Sequence, residues 1–254
     1  MKRIFLVFVL LIGLVVHSQE VKFDSEASFV YQVHLQLQLV PEEYDSTLNF
    51  DNQQSLCSWV AVGNTSLQTT SNGTLTSAAH FKDGEWNYVN KTKNQILSKV
   101  AVDATEAYIT EQEAHMQWDI DFDTQQKLHG YHCYKATTNY GGRHYTAWFT
   151  TEIPTAFGPW KFNNLPGLII EVSDKEKQFA FRLKEVHVER KTNTVSYGKL
   201  KVVSLEKYYQ RVVDKPFESI KATQAKVGRG ATISISSTNW NFIEKNYEYL
   251  GRDK

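Results

Sequence analysis

The stretch that decides the fold reads YQVHLQLQL and covers residues 31–39. Tyr31, Val33 and Leu35 begin an apolar series that alternates with Gln and His to the end of the stretch. Successive side chains of a β-strand point to opposite faces of the sheet. This period of two therefore predicts an antiparallel strand with one buried face and one wet face.

Shorter runs with the same period follow along the chain, and they begin at Met116, Tyr145 and Phe179. In the third run the apolar phase shifts by one residue. A shift of this kind is typical of a β-bulge, which we expect near Lys184 and Glu185.

Turn chemistry separates these runs. The signals are SNG at residues 71–73, KDG at 82–84 and NYGG at 139–142, and their spacing is that of an antiparallel meander. The apolar spacing over residues 205–213 instead predicts an amphipathic helix that ends or kinks at Pro216. The predicted fold class is all-β dominated, with a curved antiparallel sheet or open half-barrel and a minor C-terminal helical element.

The N-terminal residues predict export. Lys2 and Arg3 precede an apolar run of about 13 residues, and Val16-His17-Ser18 provides a cleavage site. A membrane-spanning helix needs about 20 apolar residues, so we expect residues 1–18 to be a cleaved signal peptide. Residues 19–254 are then expected to form a single β-rich domain that does not span the membrane. Its expected location is the periplasm, with secretion as the alternative.

Charge and cysteine content narrow the function classes. The chain has 28 basic and 28 acidic residues, whereas a nucleic-acid-binding protein shows a strong positive excess. We therefore expect no nucleic-acid partner. Cys57 and Cys133 are far apart and form no CxxC motif, which argues against a zinc or redox motif. Export permits a disulfide between them, and the sequence leaves bridged and free thiols both open.

Two clusters carry side chains capable of chemistry. His129, His132 and Cys133 are of the metal-ligand type, but on a strand His132 points away from the other two. The remaining pair is then about 13 Å apart, too far to share one ion. The alternating acids over residues 119–123 could bind calcium or act as acid and base, but they are typical of a solvated strand face. Neither cluster predicts a catalytic residue, a metal site or a cofactor.

Residues 130–172 carry a family resemblance. The segments concerned are GYHCYKA at 130–136, GRHYTAWFT at 142–150, GPWKF at 158–162 and LPGLIIEV at 165–172. Together they resemble the GLPGLI family of exported Bacteroidota proteins, which is named for the last motif. The resemblance implies an exported periplasmic or surface protein without an assigned enzymatic activity. Genes of this family are often found near genes for outer-membrane transporters.

The sequence departs from this family pattern at three positions. Asn164 stands where the naming motif usually begins with Gly, and Asn tolerates left-handed backbone better than most residues. His132 stands where Lys is usual. Cys57 stands where an aromatic residue is usual, which argues against a disulfide common to the family.

The segment over residues 152–168 is rich in Pro, Gly and aromatic residues. Such a rigid loop either presents its aromatic side chains to a partner or plugs the open side of the curved sheet. Its direct entry into an apolar run at residues 168–170 favours the plug. Pro166-Gly167 is typical of a type II turn, in which Gly167 would take a positive φ. The candidate binding residues of this region are Arg143, Trp148, Trp160, Phe162, Leu165, Pro166 and Gly167.

The predicted function is a non-enzymatic envelope protein that acts as a binding or accessory factor. It would serve an outer-membrane transporter or carry an apolar ligand, and it would need no cofactor. An envelope hydrolase or a metal-handling protein is the alternative.

The mature N-terminus can be tested directly. We expect the exported protein to begin at Gln19, because the short apolar run ends at Ser18. Intact-mass spectrometry of the exported protein measures this. A mass that includes residues 1–18 would contradict the predicted cleavage.

Overall fold

The structure is a computed structural model. It describes residues 19–36, 41–62, 68–69, 75–76, 84–102, 105–112, 116–197, 202–214, 218 and 244–246. The predicted signal peptide, the turn at residues 71–73 and Pro216 lie outside the described residues.

The described residues form sixteen strands and a helix, α1, at residues 205–214. The strands are β1 Gln19–Ser25, β2 Ser28–Leu35, β3 Glu42–Phe50, β4 Gln54–Ala61, β5 Gln68–Thr69, β6 Leu75–Thr76, β7 Glu85–Asn90, β8 Gln95–Val102, β9 Thr105–Gln112, β10 Asp119–Leu128, β11 Tyr131–Tyr140, β12 Arg143–Thr150, β13 Leu168–Asp174, β14 Phe179–His187, β15 Lys191–Tyr197 and β16 Val202–Val203.

Twelve of these strands form one large sheet. Their order is β10-β11-β12-β13-β14-β2-β3-β4-β7-β8-β9-β16, and the pairs are antiparallel except β16 with β9. β1 pairs with β15, and β5 pairs with β6, in two small sheets. The predicted fold class, an all-β dominated protein with a large antiparallel sheet and a minor C-terminal helix, is confirmed.

The predicted alternation is confirmed in β2. Tyr31 and Val33 are fully buried, while Gln32 between them is exposed. The predicted bulge is also confirmed, because the pairing of β14 with β2 shifts register between Leu183 and Glu185. The large sheet therefore has an inner face, on the side of Tyr31, and an outer face, on the side of Gln32.

The inner face is concave. Trp59 on β4 and Phe181 on β14 lie three strand positions apart, which is about 14 Å in a flat sheet. Their ring centroids are nevertheless 5.3 Å apart. Across two strand positions, the Tyr31 hydroxyl donates to the Ile169 carbonyl at 2.8 Å. The sheet must curl to bring these groups together.

A connection between β12 and β13 fills this concavity. We call it the plug segment, residues 151–167. Trp160, Phe162 and Leu165 are buried in it, and the Trp160 ring lies edge-on to Phe179 with centroids 5.1 Å apart. Apolar burial stabilises the arrangement by roughly 1.5–3 kcal/mol per large side chain. The aromatic side chains of the segment therefore fill the open side of the curved sheet, as the plug interpretation describes.

The β1–β15 pair covers part of the outer face. Phe23 and Val195 pack there against Tyr88, Leu97 and Tyr108, which come from β7, β8 and β9. The Phe23 and Tyr88 rings are 6.4 Å apart between centroids. This end of the sheet is therefore buried on both faces, whereas the outer face of β12, β13, β14 and β2 has an open groove.

The predicted helix is confirmed as α1. The Ser204 hydroxyl accepts a hydrogen bond from the Lys207 N–H at 3.3 Å and so caps the first turn. Tyr209 and Val213, four residues apart, are buried on one side. Within the described part of the chain, no helix has both the length and the apolar character that crossing a membrane takes.

Two local predictions near β10 were wrong. The alternation that begins at Met116 fails at Phe122, which is 51% exposed, because the strand shifts register between Asp121 and Gln125. The Asp121 carboxylate accepts backbone hydrogen bonds at this point and forms a local turn. His129 does not lie on a strand either. It has φ of +50° in the tight turn between β10 and β11.

The two cysteines are not bridged in the structure. Cys57 on β4 and Cys133 on β11 lie six strand positions apart, and Cys57 Sγ instead lies 3.1 Å from the Trp160 N–H that donates to it. Burial raises the pKa of each thiol to about 11. Both thiols are therefore protonated at neutral pH.

The backbone of the plug segment accommodates Asn164 and corrects the prediction made for Gly167. Asn164 has φ of +69°, the left-handed conformation that Asn tolerates. Gly167 does not have the positive φ of a type II turn. It is instead the site of a close approach, because a Cβ there would lie 1.9 Å from the Thr150 carbonyl oxygen.

Gly167→Ala should destabilise the protein through this clash. We expect a loss at the upper end of overpacking effects, about 3 kcal/mol, which lowers the Tm by about 6–12 °C. Gly130→Ala is the matched control, because Gly130 has φ of +90° but open space around it. It should lose only about 1–2 kcal/mol through backbone strain. Equal thermal melts for the two variants would contradict the clash.

Candidate functional site

Arg143, a candidate binding residue, has a structural partner. Its Nη1 lies 2.7 Å from the Asp174 carboxylate and 3.0 Å from the Gln178 amide oxygen. Neither charged side chain is exposed to solvent. The other Asp174 oxygen accepts the Phe179 N–H at 2.9 Å. These contacts join the β12 and β13 ends to the start of β14, so the guanidinium is not available to a ligand.

The other candidates divide between the two faces. Trp160, Phe162, Leu165 and Gly167 are buried at the inner face, whereas Pro166 is exposed at the end of the plug segment. Trp148 is half-buried and lies on the outer face. Among the residues named from the sequence, Trp148 is therefore the one that lies in a groove open to a ligand.

The plug segment also buries a charge that sequence reasoning did not single out. Lys161 Nζ lies 2.6 Å from Glu111 Oε2 and 3.3 Å from Glu244 Oε1. The Tyr209 hydroxyl of α1 donates to Glu244 Oε2 at 3.0 Å. Burial alone lowers the pKa of Lys161, but the charges of Glu244 and Glu111 outweigh it and raise that pKa. Lys161 is therefore held as an ammonium ion.

Burial shifts the pKa of the carboxyl partner Glu111 in the opposite direction. It raises the pKa of Glu111, while the ammonium of Lys161 opposes the rise. The group thus has one cation for two carboxyl side chains. We call Lys161, Glu111, Glu244 and Tyr209 the inner charged cluster.

A small cavity adjoins the inner charged cluster. Its volume is about 100 Å³, and Trp59, Tyr44 and Tyr208 contribute to its walls. Sites that hold small organic ligands typically measure about 300–1,000 Å³. The aromatic side chains and the plug segment thus leave too little room at the inner face for a lipid-sized ligand.

A larger groove lies on the outer face, with a volume of about 560 Å³. A row of paired residues crosses it. Trp148 on β12 is opposite Glu171 on β13, which is opposite Arg182 on β14, which is opposite Gln32 on β2. Side chains directly opposite on one face are about 4.5–5.5 Å apart at Cβ, so this row presents an aromatic ring, a carboxylate, a guanidinium and an amide side by side.

A second row lies next to the first. Thr146 is opposite Ser173, Ser173 is opposite Ala180, and Ala180 is opposite His34. His34 Nδ1 is 2.6 Å from Glu43 Oε1. Glu43 Oε2 is shielded from solvent and has no hydrogen-bond partner among the described residues. We call the two rows together the outer groove.

Sequence reasoning found only part of the outer groove. The polar positions of β2 were expected to be wet, and Trp148 was among the candidates. Glu171, Arg182 and Glu43 were not among the candidates. Their proximity depends on the order of the strands, because β14 pairs with β2 although more than a hundred residues of chain separate them. The signal available in the sequence was the set of polar residues that alternate with apolar ones along each strand, since these polar positions form the groove.

The residues of the metal-ligand type do not come together. His129 is in a turn, His132 is exposed and Cys133 is buried. Over the residues that the structure covers, no three His, Cys, Asp or Glu side chains are grouped so that they could hold a metal ion.

The chain is similar to a protein family over one segment. The family is described as a protein of unknown function (Porph_ging), it is associated with Bacteroidota, and it matches residues 140–171. The match begins at the turn between β11 and β12, includes the plug segment and ends in β13. No curated protein matches the chain by sequence.

Two crystal structures of PNGF-II are similar to parts of the chain. The structure in space group P21 has 15% identity and a TM-score of 0.43, and the match covers 64% of this chain and 28% of that one. The structure in space group C2 has 13% identity and a TM-score of 0.43, with 73% and 32% covered. The chain thus spans less than a third of the length of these proteins.

Lys161→Met should destabilise the protein strongly. Breaking a buried ion pair from one side costs about 3–5 kcal/mol, because two buried carboxyls lose their counter-ion. Lys184→Met is the matched control, since Lys184 pairs with Asp45 at 3.4 Å on the exposed surface. It should cost at most about 1 kcal/mol. Urea denaturation of both variants measures the difference in the free energy of unfolding. A similar small decrease in both variants would mean that the inner charged cluster does not stabilise the fold.

Proposed function

We propose that this protein is a non-enzymatic binding or accessory factor of the cell envelope and that it binds its ligand or partner in the outer groove. The observation that carries the proposal is the groove itself. It measures about 560 Å³, it lies within the size range of ligand sites, and Trp148 lines it. The inner face, by contrast, is occupied by the protein's own side chains.

Compartment and family belong to the same proposal. The N-terminal sequence pattern supports export to the periplasm or beyond, and the motifs over residues 130–172 support membership of the GLPGLI family. The match of residues 140–171 to a Bacteroidota-associated family agrees with that assignment. On this basis an outer-membrane transporter is the proposed partner, and the outer groove is where its ligand or an exposed segment of it would bind.

One observation favours the alternative of an envelope hydrolase. Lys161, Glu111 and Glu244 converge beside a cavity, as the acid, base or nucleophile of an active site would. The charge state argues against Lys161 as a base or nucleophile, because an amine with a raised pKa stays protonated. The binding function therefore has the stronger support.

An affinity pull-down from the native envelope tests the binding function. The mature protein should capture a defined protein, glycan or lipid, and Trp148→Ala should lose it, because aromatic side chains dominate binding energy in desolvated sites. Mass spectrometry of proteins, glycans and lipids identifies the captured molecule.

Phe122→Ala is the matched control. Phe122 is an exposed aromatic residue outside the outer groove, so its loss removes a similar apolar surface without touching the site. Capture that survives Trp148→Ala, or that is lost equally with Phe122→Ala, would contradict binding in the outer groove. Circular dichroism of each variant establishes that it is folded.

A further inference from the structure

We propose that the outer groove recognises an uncharged saccharide. This inference rests on the proposed binding function and assigns a chemical class to its ligand. It depends on three properties of the groove: its charge balance, its hydrogen-bonding groups and the position of one aromatic ring.

The charges that line the groove compensate one another. Glu43 and Glu171 contribute two carboxylates, and Lys177 and Arg182 contribute two cations. Glu171 and Arg182 are direct neighbours across β13 and β14, and Glu43 is hydrogen-bonded to His34. A site selective for an anion or a cation needs an excess of the opposite charge. The described residues that line the outer groove have no such excess, so it favours a ligand without net charge.

The hydrogen-bonding groups are of both kinds. The amide of Gln32 and the hydroxyls of Thr146 and Ser173 each donate and accept, and the guanidinium of Arg182 only donates. A sugar hydroxyl also donates and accepts, so adjacent hydroxyls of a saccharide can satisfy these groups in turn.

Trp148 provides the apolar surface that such a ligand needs. It lines the groove beside the polar rows and is half-buried, so its ring is held in place. An indole offers an apolar body together with one polar N–H. One face of a pyranose ring presents C–H groups and packs against such a surface, while its hydroxyl groups point toward polar neighbours such as Glu171 and Arg182.

The same features argue against the other ligand classes. An acyl chain would leave the amide, carboxylate and guanidinium groups of the groove without partners, at a cost for each group that is desolvated. A strongly charged peptide or polyanion would meet as many like charges as opposite ones. A neutral saccharide matches the donors and acceptors and meets no net repulsion.

Isothermal titration calorimetry of the mature protein with a panel of tetrasaccharides tests the inference. The neutral probes are the tetramers of glucose, mannose, galactose and N-acetylglucosamine, and the charged probes are tetragalacturonate and the glucosamine tetramer. We expect at least one neutral probe to bind at millimolar concentration or below, and the charged probes to bind at least about tenfold more weakly than the best neutral one. Trp148→Ala should weaken neutral binding by about tenfold or more.

Two variants decide the outcome. Gln32→Ala removes an exposed amide that lines the groove and should weaken binding, whereas Phe122→Ala should leave it unchanged. No binding of any neutral tetramer, stronger binding of a charged one, or equal binding by the Trp148→Ala variant would each overturn the saccharide inference. If the pull-down still captures a protein or lipid in a Trp148-dependent manner, the inference fails while the proposed binding function stands. If neither assay depends on Trp148, both fail.

Discussion

The structure depends on the need to compensate one buried ammonium group. Lys161 lies in the plug segment with a side chain only 4% exposed, and a charge in such a place is costly unless it is paired. Its partners come from distant parts of the chain, Glu111 on strand β9 and Glu244 near the C-terminus. α1 joins the same group through Tyr209. One charge therefore fixes where the edge of the sheet, the plug segment, the helix and the C-terminal region meet.

The packing of the plug segment against the inner face determines which face of the sheet is available for binding. A strongly curved sheet has a concavity that is open by default, and an open concavity is the usual place for an apolar ligand. Here Trp160 and Phe162 occupy it, and the inner charged cluster holds them there. On the outer face of β12, β13, β14 and β2, no described residue covers the outer groove in this way, and the groups that line it are mostly polar. The inner face thus stabilises the fold, and the outer face carries the groove that is proposed to recognise a ligand.

The sequence predicted features that depend on local geometry. The alternation at Tyr31 and the bulge before Glu185 each follow from a few adjacent residues, and each was confirmed. The features that it could not predict depend on pairing across the chain. Lys161 reads as an ordinary surface lysine until Glu111 and Glu244 are placed beside it. Likewise, nothing near Gly167 in the sequence shows that the Thr150 carbonyl leaves no room for a Cβ.

The segment matched by the family of unknown function is best understood through these constraints. Gly141 and Gly142 take positive φ in the turn that begins it, Gly167 permits a close backbone approach, and Arg143 is locked to Asp174. Turn geometry, a close backbone approach and a buried ion pair therefore account for these residues. Trp148 differs, because it packs partly against the core and also lines the outer groove beside polar neighbours. A segment that is mainly structural can therefore still contain a residue, Trp148, that is available to the ligand proposed for the outer groove.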